Sequence, residues 1–267
     1  MQIEVIIEKK SHKLDAEEGK TILETLQEHG IHVLTAPCGG RGRCGKCTVE
    51  VEHMGEVLAC MTKVTDGMRI TIPKVQLRAQ KSKIAENGTV THYPADDGEG
   101  LDAACDIGTT TVVCHLIDGK TGEKLATVSE PSAQRSFGAD VLSRIQAAEA
   151  GKLEILKEQI IFQIAQMLRT LQKKTGRGEQ IQRLAVVGNT VMCHLFAGIS
   201  PVSIGVTPFM PQEFFGKEYT GEQLGLTDCR SVYIAPAVAG FVGGDITSDL
   251  LLSLIHISEP TRPLYIS

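Results

Sequence analysis

Four cysteines carry the plainest chemistry in this 267-residue chain: Cys38, Cys44 and Cys47 in Cys-Gly-Gly-Arg-Gly-Arg-Cys-Gly-Lys-Cys, then Cys60 in Leu-Ala-Cys. Three thiols crowd one glycine-rich loop and a fourth follows from an apolar segment. Four thiolates are what a [2Fe–2S] cluster requires. A structural zinc site is the competing chemistry, but it usually shows two Cys-x2-Cys knuckles, and here Cys44 and Cys47 make one. A disulfide pair would suit a secreted protein, and the chain as given opens with no charged-then-apolar leader. Gly39, Gly40, Gly42 and Gly45 supply the positive φ that lets a loop turn its N–H groups onto sulfur. The iron–sulfur reading is therefore preferred.

A second constellation starts at Asp106-Ile107-Gly108-Thr109-Thr110-Thr111. A carboxylate ending a strand can hold hydrated Mg²⁺, the glycine lets backbone approach a polyphosphate, and threonine hydroxyls and N–H groups can donate to it. Taken alone, Asp, Gly and Thr also serve ordinary turn geometry. Two further segments strengthen the case. Gly188-Asn189-Thr190 turns a strand into a helix, a ready anion site, and Gly243-Gly244-Asp245 offers a second aspartate on a glycine turn, read as a hairpin from a second lobe.

The elements that must position these residues follow from pattern. Gln2–Ile7 alternates as a strand, with a short partner expected at His12–Leu14. Thr21 caps a helix through Glu28, and Gly30 stops it. Strands are expected at Thr48–Glu52, around Glu56–Cys60 and at Met68–Ile72, an order that suits a β-grasp domain over residues 1–73. Residues 74–101 read as a linker, with a short strand near Thr89–His92. From residue 102 to about 252, strands around Asp106, at Leu184–Val187 and at Val232–Ala235 alternate with helices at Ala139–Ala150, Leu153–Lys173 and Val191–Phe196, which predicts an α/β domain with a mixed sheet. Cys105, Cys114, Cys193 and Cys229 lie among apolar residues and read as buried free thiols. His115 and His194 read as core or half-buried residues rather than ligands. Arg41, Arg43 and Lys46 could steer an acidic partner or simply offset an anionic cluster.

The formal charge of −5 gives no nucleic-acid footprint, and no apolar run reaches the ~18 residues of a membrane span. The expected location is cytoplasmic. Oligomeric state is not legible.

The cysteine loop is similar to that of plant-type ferredoxins, one residue longer than their Cys-x4-Cys-x2-Cys. Asp106–Thr111 resembles the first phosphate loop of the sugar kinase, heat-shock chaperone and actin superfamily. The two together resemble the reductive activators of corrinoid proteins. The likeness continues through Phe137-Gly138-Ala139-Asp140-Val141-Leu142-Ser143-Arg144-Ile145, Val187-Gly188-Asn189-Thr190-Val191-Met192 and Gly240–Asp245. It implies a β-grasp [2Fe–2S] domain followed by an incomplete actin or sugar-kinase-like (ribonuclease H-like) domain. It implies a cluster held by Cys38, Cys44, Cys47 and Cys60. ATP and Mg²⁺ would be held by Asp106, Gly108, Thr109, Thr110, Gly188, Asn189, Gly243, Gly244 and Asp245. Asp140 is a weaker cleft candidate, and no general base is assigned. The implied function is ATP-dependent transfer of one electron to Co(II) of a corrinoid protein, fed by a low-potential donor; the alternative is a plain redox carrier. The resemblance also implies a longer parent. Residues 253–267, where Pro260 and Pro263 forbid a continuing helix, resemble translated adapter read-through and are expected to be non-native.

Overall fold

The structure, a computed structural model, describes residues 1–31, 33–73 and 98–250. The expected linker strand near Thr89–His92, most of the linker and the expected non-native tail lie outside the described residues. Two sheets organise the rest.

The first sheet has the order β2-β1-β5-β3-β4, from β1 (Gln2–Ile7), β2 (Lys10–Asp15), β3 (Thr48–Val51), β4 (Gly55–Leu58) and β5 (Arg69–Thr71). β1 pairs antiparallel with β2 and parallel with β5. Alternation decides the faces: Ile3 and Val5 are buried while Gln2 is exposed, so one side of the strand meets the core. Across that side lies α1 (Ile22–Glu28), which buries Ile22, Leu23 and Leu26. Its start is fixed locally. The Thr21 hydroxyl accepts from Glu24 N at 3.2 Å and Thr21 N donates to the Glu24 carboxylate at 2.9 Å, a closed capping box. β2 is longer than expected from the sequence, because ladder bonds to β1 recruit its polar residues.

The second sheet has the order β10-β11-β9-β6-β7-β8, from β6 (Leu101–Ile107), β7 (Thr111–Asp118), β8 (Lys124–Pro131), β9 (Ile181–Gly188), β10 (Lys217–Thr220) and β11 (Cys229–Ile234). β6, β9 and β11 run parallel; β7, β8 and β10 are antiparallel to their neighbours. Ignoring edge strand β10, β7 and β8 follow β6 outward in sequence order and the parallel β9 and β11 lie on its other side, the ribonuclease H-like arrangement. A helix of 23 residues, Leu153–Thr175, buries Ile160, Ile164, Met167, Leu168 and Leu171 in its core. Gly176 ends it in the left-handed conformation.

Three expectations from the sequence are corrected. The helix expected over Ala139–Ala150 is reduced to α2 (Val141–Ala147) and a wide turn at Ala148–Lys152, where Gly151 takes a φ of +82°, and a 3₁₀ turn at Ala133–Phe137 precedes it. The Leu153–Thr175 helix is accordingly α3. Gly243-Gly244-Asp245 is not a hairpin. A tight turn closes between Ala239 and Val242, and a helix then runs from residue 244 to 250 with Thr247 N bonded to Gly243 O at 3.2 Å. Nor does it come from a second lobe, since it follows β11 and packs on the same sheet. Third, Cys105 and Cys114 are not free: they face each other across β6 and β7, in register, and are bonded.

Among the described residues no helix is long and apolar enough to cross a membrane.

Candidate functional site

The loop after α1 and the turn after β4 bring the four predicted cysteines together as two pairs. Cys38 Sγ and Cys44 Sγ are 3.3 Å apart, and so are Cys47 Sγ and Cys60 Sγ. Two thiolates on one tetrahedral metal at ~2.3 Å stand about 3.7 Å apart, so each pair is spaced to share one iron. Among the described residues no three His, Cys, Asp or Glu side chains group round a single ion. Two pairs of two suit a binuclear cluster better than a lone zinc.

The backbone explains how the pairs form. Gly39, Gly40, Gly42 and Gly45 all have φ between +63° and +81°. Gly42 has a further constraint: a Cβ there would sit 2.8 Å from Met61 Sδ, on the turn carrying Cys60. The N–H groups so turned act on sulfur. Burial resists ionisation of Cys38, yet the N–H groups of Cys44, Arg43 and Arg41 and the Cys44 thiol bring it down to about 6. Cys60 goes the other way, pushed up to about 11 by burial and by its neighbour Cys47. Arg41, Arg43 and Lys46 stand on the outer, exposed side of the loop. The residues fit a [2Fe–2S] cluster in number, pairing and donor chemistry.

The second constellation converges at the ends of the parallel strands. Asp106 lies opposite Val187 and Ile107 opposite Gly188 in the β6–β9 register. Asn189 caps α4 (Thr190–Ala197): its Oδ1 accepts from Met192 N at 3.0 Å, and its Nδ2 donates to Thr109 Oγ1 at 3.1 Å. The third segment fits only because it is glycine. A Cβ on Gly243 would come within 2.4 Å of Gly188 O and 2.5 Å of both Asn189 Cα and Thr190 N. Gly244 is similarly pressed, on Ala235. Thr190 Oγ1 donates to Ala239 O at 2.7 Å, tying α4 to that turn. Gly108 closes the first loop, where a Cβ would lie 2.5 Å from Thr111 O. Thr110 sits exposed at the tip. The cleft candidates named from the sequence are thus brought together.

Asp106 is recessed among neighbouring atoms, and this together with the charges of Asp245 and Asp249 raises its carboxyl to about 6. Solvent still reaches the side chain, so the opposing carboxylates are the part of that push that a bound cation would cancel. Asp249 was not anticipated; its signal was the i,i+4 spacing from Asp245 on what proves to be a helix. Asp140 instead serves as the N-cap of α2, its Oδ1 accepting from Ser143 N at 2.8 Å.

Arg144, to which the sequence assigned no role, is buried with its guanidinium reaching Thr109 O. Burial lowers it to about 10. His194 and His115 are structural. His194 is buried, with Nδ1 against Thr190 O at 2.7 Å and Nε2 accepting from Glu213 N at 3.3 Å, which requires the neutral ring protonated on Nδ1. His115 Nδ1 pairs with Thr127 Oγ1 at 2.8 Å.

Fold and sites together define a class: a β-grasp [2Fe–2S] unit joined to a ribonuclease H-like unit whose strand ends bring two aspartates and several glycine turns together. Comparison with known families agrees. Residues 4–74 match the 2Fe-2S iron-sulfur cluster binding domain, and residues 101–258 match the RACo middle region. The chain belongs to the family of reductive activators of corrinoid proteins. Among known relatives it is similar to the corrinoid activation enzyme RamQ of Eubacterium limosum, 27% identical, with 82% of this chain and 50% of that protein aligned. Among solved structures it shares its fold with a reductive activator for a corrinoid, iron-sulfur protein, at a TM-score of 0.57 and 24% identity, over 96% of this chain and 58% of the other. The chain therefore spans about half the length of the relatives it matches.

Proposed function

We propose that this chain is the cluster-bearing and nucleotide-binding part of an ATP-dependent reductive activator that passes one electron to Co(II) in a corrinoid protein. The observation that carries the reading is the presence in one chain of two paired-cysteine sites and of Asp106, Asn189 and Gly243 brought together at the strand ends. RamQ and the structural relative bear names that say corrinoid activation, which supports the partner class. A plain redox carrier, the competing reading, has no use for that second site.

The [2Fe–2S] cluster would supply a one-electron couple, at about −400 mV for plant-type centres. Cys38, Cys44, Cys47 and Cys60 would hold it, and the N–H groups of Arg41, Arg43 and Cys44, which act on the Cys38 sulfur, would tune it. Each ~100 mV uphill costs about 2.3 kcal/mol for one electron, which a nucleotide bound differently by two protein states can offset. Asp106 and Asp245 would orient hydrated Mg²⁺, while Gly108, Thr109, Thr110, Gly188, Asn189 and Gly244 shape the phosphate cradle. Coupled turnover is assigned to the complete family member, with a low-potential donor, in the cytoplasm. We place the working units at 1–73 and from 101 onward, where β6 begins and Leu101 enters the second core.

The test uses the chain reconstituted anaerobically with iron and sulfide. Asp106→Ala should abolish Mg–ATP binding in calorimetry and leave the visible and paramagnetic-resonance spectra of the cluster intact. A wild-type chain with no Mg–ATP affinity refutes the nucleotide reading, and a colourless zinc-loaded product refutes the cluster.

A further inference from the structure

Arg144 carries an interior charge that the Asp140 carboxylate offsets only at a distance, while Arg135 opposes it. It is the largest fully buried side chain in the described residues, it makes no ion pair there, and its Nε has no partner. An interior charge without an ion-pair partner is destabilising and persists where something else depends on it. The guanidinium fork shows what. Nη2 donates to the carbonyls of Thr109 and Gly138, the latter at 3.4 Å; Nη1 lies 3.4 Å from Gln134 Oε1 and 2.8 Å from Met192 Sδ. Gln134, itself buried, is anchored by Nε2 to Leu156 O at 2.7 Å.

On one side this grips the phosphate loop. A trans peptide sets its N–H opposite its C=O, so holding the Thr109 carbonyl inward turns the Thr110 N–H outward. The next carbonyl, Thr110 O, is also taken, by Ser132 N at 2.9 Å. On the other side the same segment meets the cluster loop. Ala139 N donates to Pro37 O at 3.3 Å, and Gln27 Nε2 donates to Ser136 O at 2.9 Å. Gly39, beside ligand Cys38, faces Phe137 O and Ser143 Cβ, which a Cβ would meet at 3.6 and 3.7 Å. Gly138 lets the segment fold this tightly: with φ at +147°, its added Cβ would fall 2.2 Å from Ser143 Cβ.

We propose that Arg144 is a positioning residue that ties the phosphate loop to the cluster loop through residues 134–144, so that a change at one loop is felt at the other. The identity of the cleft ligand rests on the nucleotide reading above; the mechanical link does not. Linkage makes the effect reciprocal, so whatever orders one loop protects the other.

Amide hydrogen exchange on the reconstituted full chain tests this. Arg144→Met, similar in length but uncharged and without the fork, should speed exchange about tenfold in peptides covering both 109–113 and 36–42, with cluster absorbance retained. Faster exchange confined to 109–113 overturns the link. If Arg144→Met does not fold, Arg144→Lys keeps the charge and loses the fork: faster exchange at both loops supports the link, and faster exchange at 109–113 alone overturns it. Mg–ATP added to the wild type should then protect both loops, and in Arg144→Met should no longer reach 36–42. Protection at 109–113 alone in the wild type overturns the proposal. Protection at neither loop overturns the nucleotide reading, and the link is then decided by the first comparison.

Discussion

Gly243→Ala is the sharpest perturbation of the cleft. The added methyl would lie 2.4 Å from Gly188 O, 2.5 Å from Asn189 Cα and 2.5 Å from Thr190 N. All three are backbone atoms, so no rotamer change relieves the clash. Ordinary contact lies near 3.5 Å, so the turn at 239–242 and the start of α4 must separate by about 1 Å. Overpacking of this kind costs about 1–3 kcal/mol, and backbone neighbours place it toward the upper end. In a unit of about 150 residues each kcal/mol lowers Tm by about 2–4 °C, so a fall of about 5–10 °C is expected. Differential scanning calorimetry reads it, with Gly178→Ala as control, since a Cβ there meets nothing within 4 Å. Cluster absorbance should not change, because the first sheet has its own core. A Tm within ~1 °C of wild type would refute the claim that Gly243 is required by close backbone approach.

Further outcomes follow from the same geometry. Cys47→Ala should abolish the visible and paramagnetic-resonance signals of the reconstituted cluster, while Cys193→Ala, buried in the other core, should leave them. Asp106, raised to about 6, is neutral below that pH and charged above it. Mn²⁺ affinity measured by titration should therefore rise by up to about tenfold per pH unit below 6 and level off above, and Asp106→Asn should flatten the profile. Thr21→Ala removes the α1 capping box and should cost about 1 kcal/mol, read as a lower midpoint in denaturant melts followed by the cluster chromophore.

The cluster site was legible in the sequence because its requirements are local. Three ligands fall within ten residues, and the glycines between them are needed for reasons of backbone conformation that any chain would share. Asp106 and its threonines were legible for the same reason, as a strand end and a turn. The β-grasp order and the long helix α3 followed from period-2 and period-3.6 burial.

Tertiary structure decided what depends on distant residues meeting. Register alone brought Cys105 onto Cys114. The sheet order put Asp106 and Asp245 at one edge, although 139 positions of sequence separate them. Gly243 reads as turn chemistry until Gly188 is seen against it, and the helix after it, not a hairpin, is what turns Asp249 toward Asp106. The sequence assigned Arg144 no role. Only packing shows that its charge is buried without an ion pair among the described residues and directed at two carbonyls, one of them in the phosphate loop. Composition and spacing specify which groups are present; only the folded path determines which of them share a site.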